Sequence, residues 1–164
     1  MKEGMRYLTN HYQLREFVLT RMLEIVKQNQ SFKPGGTVFF GDSITEKCNL
    51  EQYYPEIKNK YNTGICGITS RILLNFIDEG VVKYQPDRVV ILIGTNDLGD
   101  TVMESPRDIA LNVKEMVEII HYNCLQTKIY LVAPIPCLEK YDGYKATKKG
   151  IRSNDVLKMI FKEY

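Results

Sequence analysis

The sequence predicts an α/β domain whose mainly parallel sheet lies between two layers of helices. Three observations carry that expectation. Strand-like apolar runs alternate with helical patterns from residue 37 to the last residue. The run at 89–93, Val-Val-Ile-Leu-Ile, is apolar on both faces, as a central parallel strand covered from both sides must be. Short polar, glycine-containing clusters occupy residues 41–43, 62–67 and 94–97, each at the exit of a predicted strand.

The elements follow in order. Residues 7–27 carry Leu14, Phe17, Val18, Leu23, Ile25 and Val26 at spacings compatible with one wide apolar helix face. Pro34-Gly35-Gly36 is a turn signal, and residues 37–41 form the first strand. A helical stretch at 50–59 is interrupted by Pro55, and 61–65 is a short second strand. A helix is expected over 69–82, with Ile72, Leu73, Phe76 and Ile77 as its buried stripe. After Pro86-Asp87 comes the strand at 89–93. Ser105 and Pro106 supply a cap and a first-turn proline for the next helix, whose period is set by Ile109, Val113, Met116, Val117 and Ile120. A fourth strand at 129–133 is closed by Pro134 and Pro136. A polar loop through Lys149 leads to a last helix with Val156, Leu157, Ile160 and Phe161 on one face.

Size and composition narrow the function classes. The 164 residues suit one domain, with residues 1–33 as an N-terminal helical segment. A net charge of +2 gives no basis for nucleic-acid or anionic-membrane binding. No apolar run approaches the roughly 20 residues needed to span a bilayer, and the N-terminus lacks the apolar stretch of a signal peptide. Cys48, Cys66, Cys124 and Cys137 show no zinc or redox spacing, so reduced thiols in a cytoplasmic protein are expected. The two histidines, His11 and His121, leave little room for metal or acid–base chemistry.

Parallel sheets gather functional groups at the carboxyl ends of their strands, so the three polar clusters should share one rim. Their chemistry fits acyl transfer. Ser43 stands where a strand gives way to a helix start, and an attacking serine generates an oxyanion that fixed donors must meet. The candidates are the backbone N–H of Ser43, a backbone N–H at Gly67, and the side-chain amide of Asn96, each such donor being worth about 3–4 kcal/mol in a transition state. Taken singly, Asp42-Ser43 suits a helix cap, Gly67 a turn glycine, and Asn96-Asp97 a post-strand turn. Three blocks in order, each at a strand end, favour a site.

Gly41-Asp42-Ser43, Gly67 five residues after Asn62, and Gly94-Thr95-Asn96-Asp97 together resemble the SGNH hydrolases, the GDSL-type esterases and lipases. The similarity runs over roughly 37–164, in the family's order, and is strongest to members of the platelet-activating-factor-acetylhydrolase-like kind. It implies a flavodoxin-like three-layer α/β/α sandwich around a five-strand parallel sheet. It further implies a serine ester hydrolase acting on a small or lipid-like ester, with Ser43 as nucleophile. Ser43, Gly67 and Asn96 would form the oxyanion hole, with Gly41, Asp42, Gly94 and Asp97 in support. No cofactor and no metal are implied.

The sequence departs from the family at its end. It contains no DxxH block, so the catalytic aspartate and histidine cannot be assigned, and the single domain at 1–164 is expected to lack a fifth strand and final helix. His121 should lie at the amino-end rim, away from Ser43, and His11 has no partner pattern. Asp142 and Asp155 are expected to be solvated or capping, and the basic run of Lys145, Lys148, Lys149 and Arg152 a solvated loop. Cys66, beside the glycine block, is the one thiol singled out for reactivity. The alternative to an active esterase is an impaired remnant serving as a binding or interaction module. An unpaired fourth strand also invites another chain, predicting a homodimer through the sheet edge.

Overall fold

A computed structural model describes residues 14–98, 104–136 and 154–164. Helix α1 (Glu16–Gln28) precedes strand β1 (Thr37–Gly41), which runs into the short helices α2 (Ser43–Glu46) and α3 (Leu50–Tyr53). Then come β2 (Lys60–Asn62), α4 (Ser70–Asn75), α5 (Ile77–Gly80) and a 3-10 turn (Val82–Tyr84). Strand β3 (Arg88–Leu92), a second 3-10 turn (Asn96–Leu98), α6 (Pro106–Asn123), β4 (Lys128–Leu131) and α7 (Asn154–Glu163) complete the described elements.

The four strands form one sheet in the order β2-β1-β3-β4, and every pairing is parallel. The expected α/β fold with flanking helices is therefore present. Strands β1 and β3 are central, in keeping with the doubly apolar run of β3. Their register pairs Val38 with Val89 and Phe40 with Ile91, so these four side chains share a face. That face is covered by Val18, Met22 and Ile25 of α1, Leu73 and Ile77 of α4 and α5, and Val113, Met116 and Ile120 of α6. Phe40 and Tyr84 are fully buried here, and the Tyr84 ring meets Phe32 and Tyr61 at centroid distances of 5.0 and 4.7 Å. The other face presents Phe39, Val90 and Tyr130 in register across β1, β3 and β4. Phe39 packs on Tyr54, with ring centroids 5.1 Å apart, while Tyr130 is left 48% exposed.

Several boundaries differ from the sequence expectation for local reasons. The helix expected over 69–82 breaks at Phe76 and again at Val81, and ends at Gln85 with φ 43°. These breaks let Leu73, Ile77, Val81 and Tyr84 all reach the core, with Gly80 pressed against the Phe40 ring. The stretch expected at 50–59 is helical only over α3, two residues short of Pro55. Strand β2 ends at Asn62, yet Thr63 N–H donates to Phe39 O (2.9 Å) and Ile65 N–H to Gly41 O (2.9 Å), so the chain continues along β1 to the expected end at 65. Strand β4 likewise continues through a bond from Val132 N–H to Ile91 O (2.9 Å). The predicted Ser105 cap forms, its Oγ accepting from Asp108 N–H at 3.2 Å. Residues 7–13 of the first predicted helix and the loop through Lys149 lie outside the described residues. Among the described residues no helix is long and apolar enough to cross a membrane.

Because the Phe40 ring is enclosed by the sheet and by Gly80, Phe40→Ala leaves a cavity that the backbone cannot fill. A loss of about 3–5 kcal/mol is expected, read as a lowered urea midpoint at unchanged slope.

Candidate active site

The rim is built by the carboxyl ends of β1, β2 and β3. At Gly41 the first and third strands run so close that a Cβ would lie 2.1 Å from the Leu92 carbonyl oxygen and 2.5 Å from Thr45 Oγ1, so no side chain fits. Asp42 is buried. Its N–H donates to Leu92 O at 3.3 Å, and its Oδ1 accepts from Ile44 N–H at 2.9 Å, capping α2. The carboxylate is thus occupied in starting the helix. Ser43 follows as the first residue of α2, half-buried, and its N–H meets no acceptor among the described residues.

The segment from Asn62 to Ile68 makes the second wall. Its amides are spoken for one by one. Thr63 and Ile65 bond to β1, Gly64 N–H donates to Asn62 Oδ1 (3.0 Å), Cys66 N–H donates to the Glu46 carboxylate, and Ile68 N–H donates to Ile65 O (3.4 Å). The amide of Gly67 is the one left over among them. Gly67 is exposed and has φ +71°, a conformation that glycine adopts readily and other residues rarely. The Asn62 side chain ties this wall to the first by donating from Nδ2 to Thr45 O (2.8 Å) and Glu46 O (3.2 Å).

The third wall leaves β3 at Gly94, which is buried beneath Ile109 and Ile160. Asn96 Nδ2 donates to Ile68 O at 2.9 Å, directly after the glycine turn. One of its two N–H groups is therefore used for placement and the other remains. Asp97 is fully buried, and its Oδ1 accepts from both Ser70 N–H (2.8 Å) and Ser70 Oγ (2.5 Å). Asn112 Nδ2 donates to Ser70 Oγ (2.8 Å) and to Glu104 Oε2 (3.2 Å), extending the network to α6. No N–H or hydroxyl of the described residues reaches Asp97 Oδ2, and a carboxyl–carboxyl hydrogen bond links Asp97 to Glu104. Burial pushes the Asp97 carboxyl up to about 7, against the downward pull of the Ser70 bonds, and Glu104 adds to the rise. Glu104 is itself raised by burial, with Arg71 opposing. Burial, and then the nearby Asp97, raise the Tyr164 hydroxyl, which donates to Ile93 O at 3.4 Å.

Ser43, Gly67 and Asn96 thus lie on three adjoining segments of one rim, with Gly41, Asp42, Gly94 and Asp97 holding the backbone beneath them. Among the described residues His121 is the one histidine. It is exposed at the last turn of α6, which leads to the start of β4 and so to the opposite rim. Asp155 is exposed and lies 3.8 Å from Lys158. His11, Cys137, Asp142 and the basic run at 145–152 fall outside the described residues. Among the described residues no cluster of three or more metal-binding side chains forms. Glu46, Ser70 and Asn112 belong to the supporting network and were not singled out from sequence. Only Ser70 gave a hint, as a polar residue at a helix start.

The sequence profile of the GDSL-like lipase/acylhydrolase family matches residues 39–160. A search of the curated proteins by sequence finds no match. Among solved structures, a Streptococcus pneumonia protein provisionally described as a platelet activating factor superposes with a TM-score of 0.80 at 24% identity, over 99% of this chain and 75% of its own. An acylhydrolase, also provisionally described, from Bacteroides fragilis gives 0.69 at 26% identity, over 90% and 69%. An acetylxylan esterase from Geobacillus stearothermophilus gives 0.53 at 17% identity, over 80% and 73%.

The raised Asp97 carboxyl makes a signed prediction. The folded state holds a proton that the unfolded chain releases near pH 4, so this group's stabilisation is complete below about 4 and is lost as pH rises to about 7. Asp97→Asn should flatten that part of the stability profile, seen as a smaller fall in the urea midpoint between pH 4 and 7 than in the parent. An unchanged slope would contradict the assignment.

Proposed function

The chain belongs to the GDSL-like lipase/acylhydrolase family, and from that premise we propose that it is a serine ester hydrolase with Ser43 as nucleophile. The observation that carries this is the set of donors left open on one rim: the Ser43 N–H, the Gly67 N–H and the second N–H of Asn96. The amides on either side of Ser43 (Asp42 and Ile44) and of Gly67 (Cys66 and Ile68) are consumed by internal bonds, and those of Ser43 and Gly67 are not. Ser43 Oγ adds to the ester carbonyl carbon, and the carbonyl oxygen takes the electron pair and the three donors. Collapse expels the alcohol, which takes up a proton, and water then releases the acyl group from Ser43. The substrate is proposed to be a small or lipid-like ester, both of which lie within the family's reach.

Both proton transfers call for a base next to Ser43. His121 stands at the other rim, and that observation favours a second reading: the rim binds an ester or its product without efficient turnover. A serine hydrolase without its full triad retains only about 10³- to 10⁴-fold acceleration over water. The three described thiols, Cys48, Cys66 and Cys124, are free, which agrees with a reducing, cytoplasmic setting. The outer edge of β4, with Tyr130 and Leu131 48% and 40% exposed, is proposed to pair with a second copy.

A fluorophosphonate is expected to label the parent chain at Ser43, with the label lost in Ser43→Ala. Asn96→Ala should slow labelling about 10²- to 10³-fold. A parent chain that takes no label and hydrolyses no short-chain aryl ester is not an esterase, and retained binding of the ester would then favour the second reading. Light scattering across a dilution series should show a dimer dissociating to monomer. A monomer at every concentration would rule out pairing through β4.

A further inference from the structure

We infer that Arg21, on a helix that precedes the family-matched span, is a positioning residue for the oxyanion turn. The inference rests on the esterase reading of Ser43, Gly67 and Asn96 and adds a residue to it. Arg21 projects from α1 with its side chain 18% exposed. Its guanidinium forks across the turn: Nη2 donates to Asn62 O at 2.8 Å, and Nε donates to Gly64 O at 3.1 Å. Its remaining arm, Nη1, meets Glu24 Oε2 at 3.0 Å, one helical turn further on. One turn earlier, the Phe17 ring lies 3.3 Å from where a Gly67 Cβ would stand. Two successive turns of α1 therefore bracket the glycine segment at both its ends.

The chemistry explains why an arginine is used. The carbonyls of Asn62 and Gly64 flank the point where the chain leaves β2, and neither is taken up by β1 in the ladder that Thr63 and Ile65 form through their amides. A planar guanidinium offers several donors in a rigid fork and can hold two carbonyls at once, and the hydrogen bonds are charge-assisted. With both carbonyls held on one side, and the Cys66 amide held by Glu46 on the other, the peptide planes of the turn have little freedom. The direction of the Gly67 N–H follows from those planes. A donor misdirected by about 1 Å can cost about 10²-fold in rate.

The test compares Arg21→Gln, Arg21→Lys and a control, Glu24→Gln, which removes only the exposed ion pair. Two readouts are taken: backbone amide exchange at residues 63–68 and the rate of fluorophosphonate labelling at Ser43. In Arg21→Gln, exchange at 63–68 should rise by about tenfold or more while the amides of β1 and β3 stay protected. Labelling should slow by about 10- to 100-fold. Arg21→Lys, with a single ammonium for two carbonyls, should fall between, and Glu24→Gln should match the parent. Unchanged exchange at 63–68 overturns the inference, as does faster exchange with unchanged labelling. If Arg21→Gln does not fold, Arg21→Lys carries the same comparison. A parent chain that takes no label defeats the esterase reading instead, and the exchange data then decide alone whether Arg21 holds the turn.

Discussion

The rim depends on how closely β1 runs beside β3 at Gly41. Only a residue without a side chain lets the Leu92 carbonyl and the Thr45 hydroxyl come so near the β1 backbone. That approach brings the Asp42 amide onto Leu92 and sets where α2 begins, and so where Ser43 stands. It also fixes β3 against β1 as far as Leu92, two residues before Gly94 opens the third segment of the site. The three polar segments meet because parallel strands end together, and they meet tightly because the central pair has no side chain between them at its end.

Around this backbone the polar groups form a closed account with few members left over. Asp42 caps a helix, Asn62 braces the carbonyls at the end of α2, and Asp97 takes both donors of Ser70. Each ties one rim segment to another element. Asp97 does so at an energetic cost, because a carboxyl is held away from water beside a second carboxyl, that of Glu104. Placing such a group under the loop that carries Asn96 joins that loop to α4 and α6, and makes its stability respond to pH.

Much of this was legible in sequence. The doubly apolar run of β3, the turn at 34–36 and the Ser105-Pro106 helix start each declare themselves by local composition, and the structure follows them to within a residue or two. Ser43, Gly67 and Asn96 stand out in the sequence because each follows a predicted strand, and the structure places the three on adjoining segments of one rim. Less was legible where the cause is tertiary. The breaks at Phe76 and Val81 arise from how that segment fits against Phe40, and nothing in residues 69–82 announces them. Arg21 was unreadable for a plainer reason. Its partners are backbone carbonyls 41 and 43 residues away, and a carbonyl leaves no trace in the sequence. The Glu46 bond to the Cys66 amide is hidden in the same way.

Helix α1 lies wholly before residue 39, where the family match begins. A recombinant domain trimmed to that match would keep all three blocks by which this chain resembles the family, and would lose the arm proposed to steady one of them. The family motifs and the contacts that hold the glycine turn therefore have different borders in this protein. On the proposed reading, a substitution in the leading helix can alter the turn without a single change among the motif residues, so the handle on the site lies outside the span that defines the family.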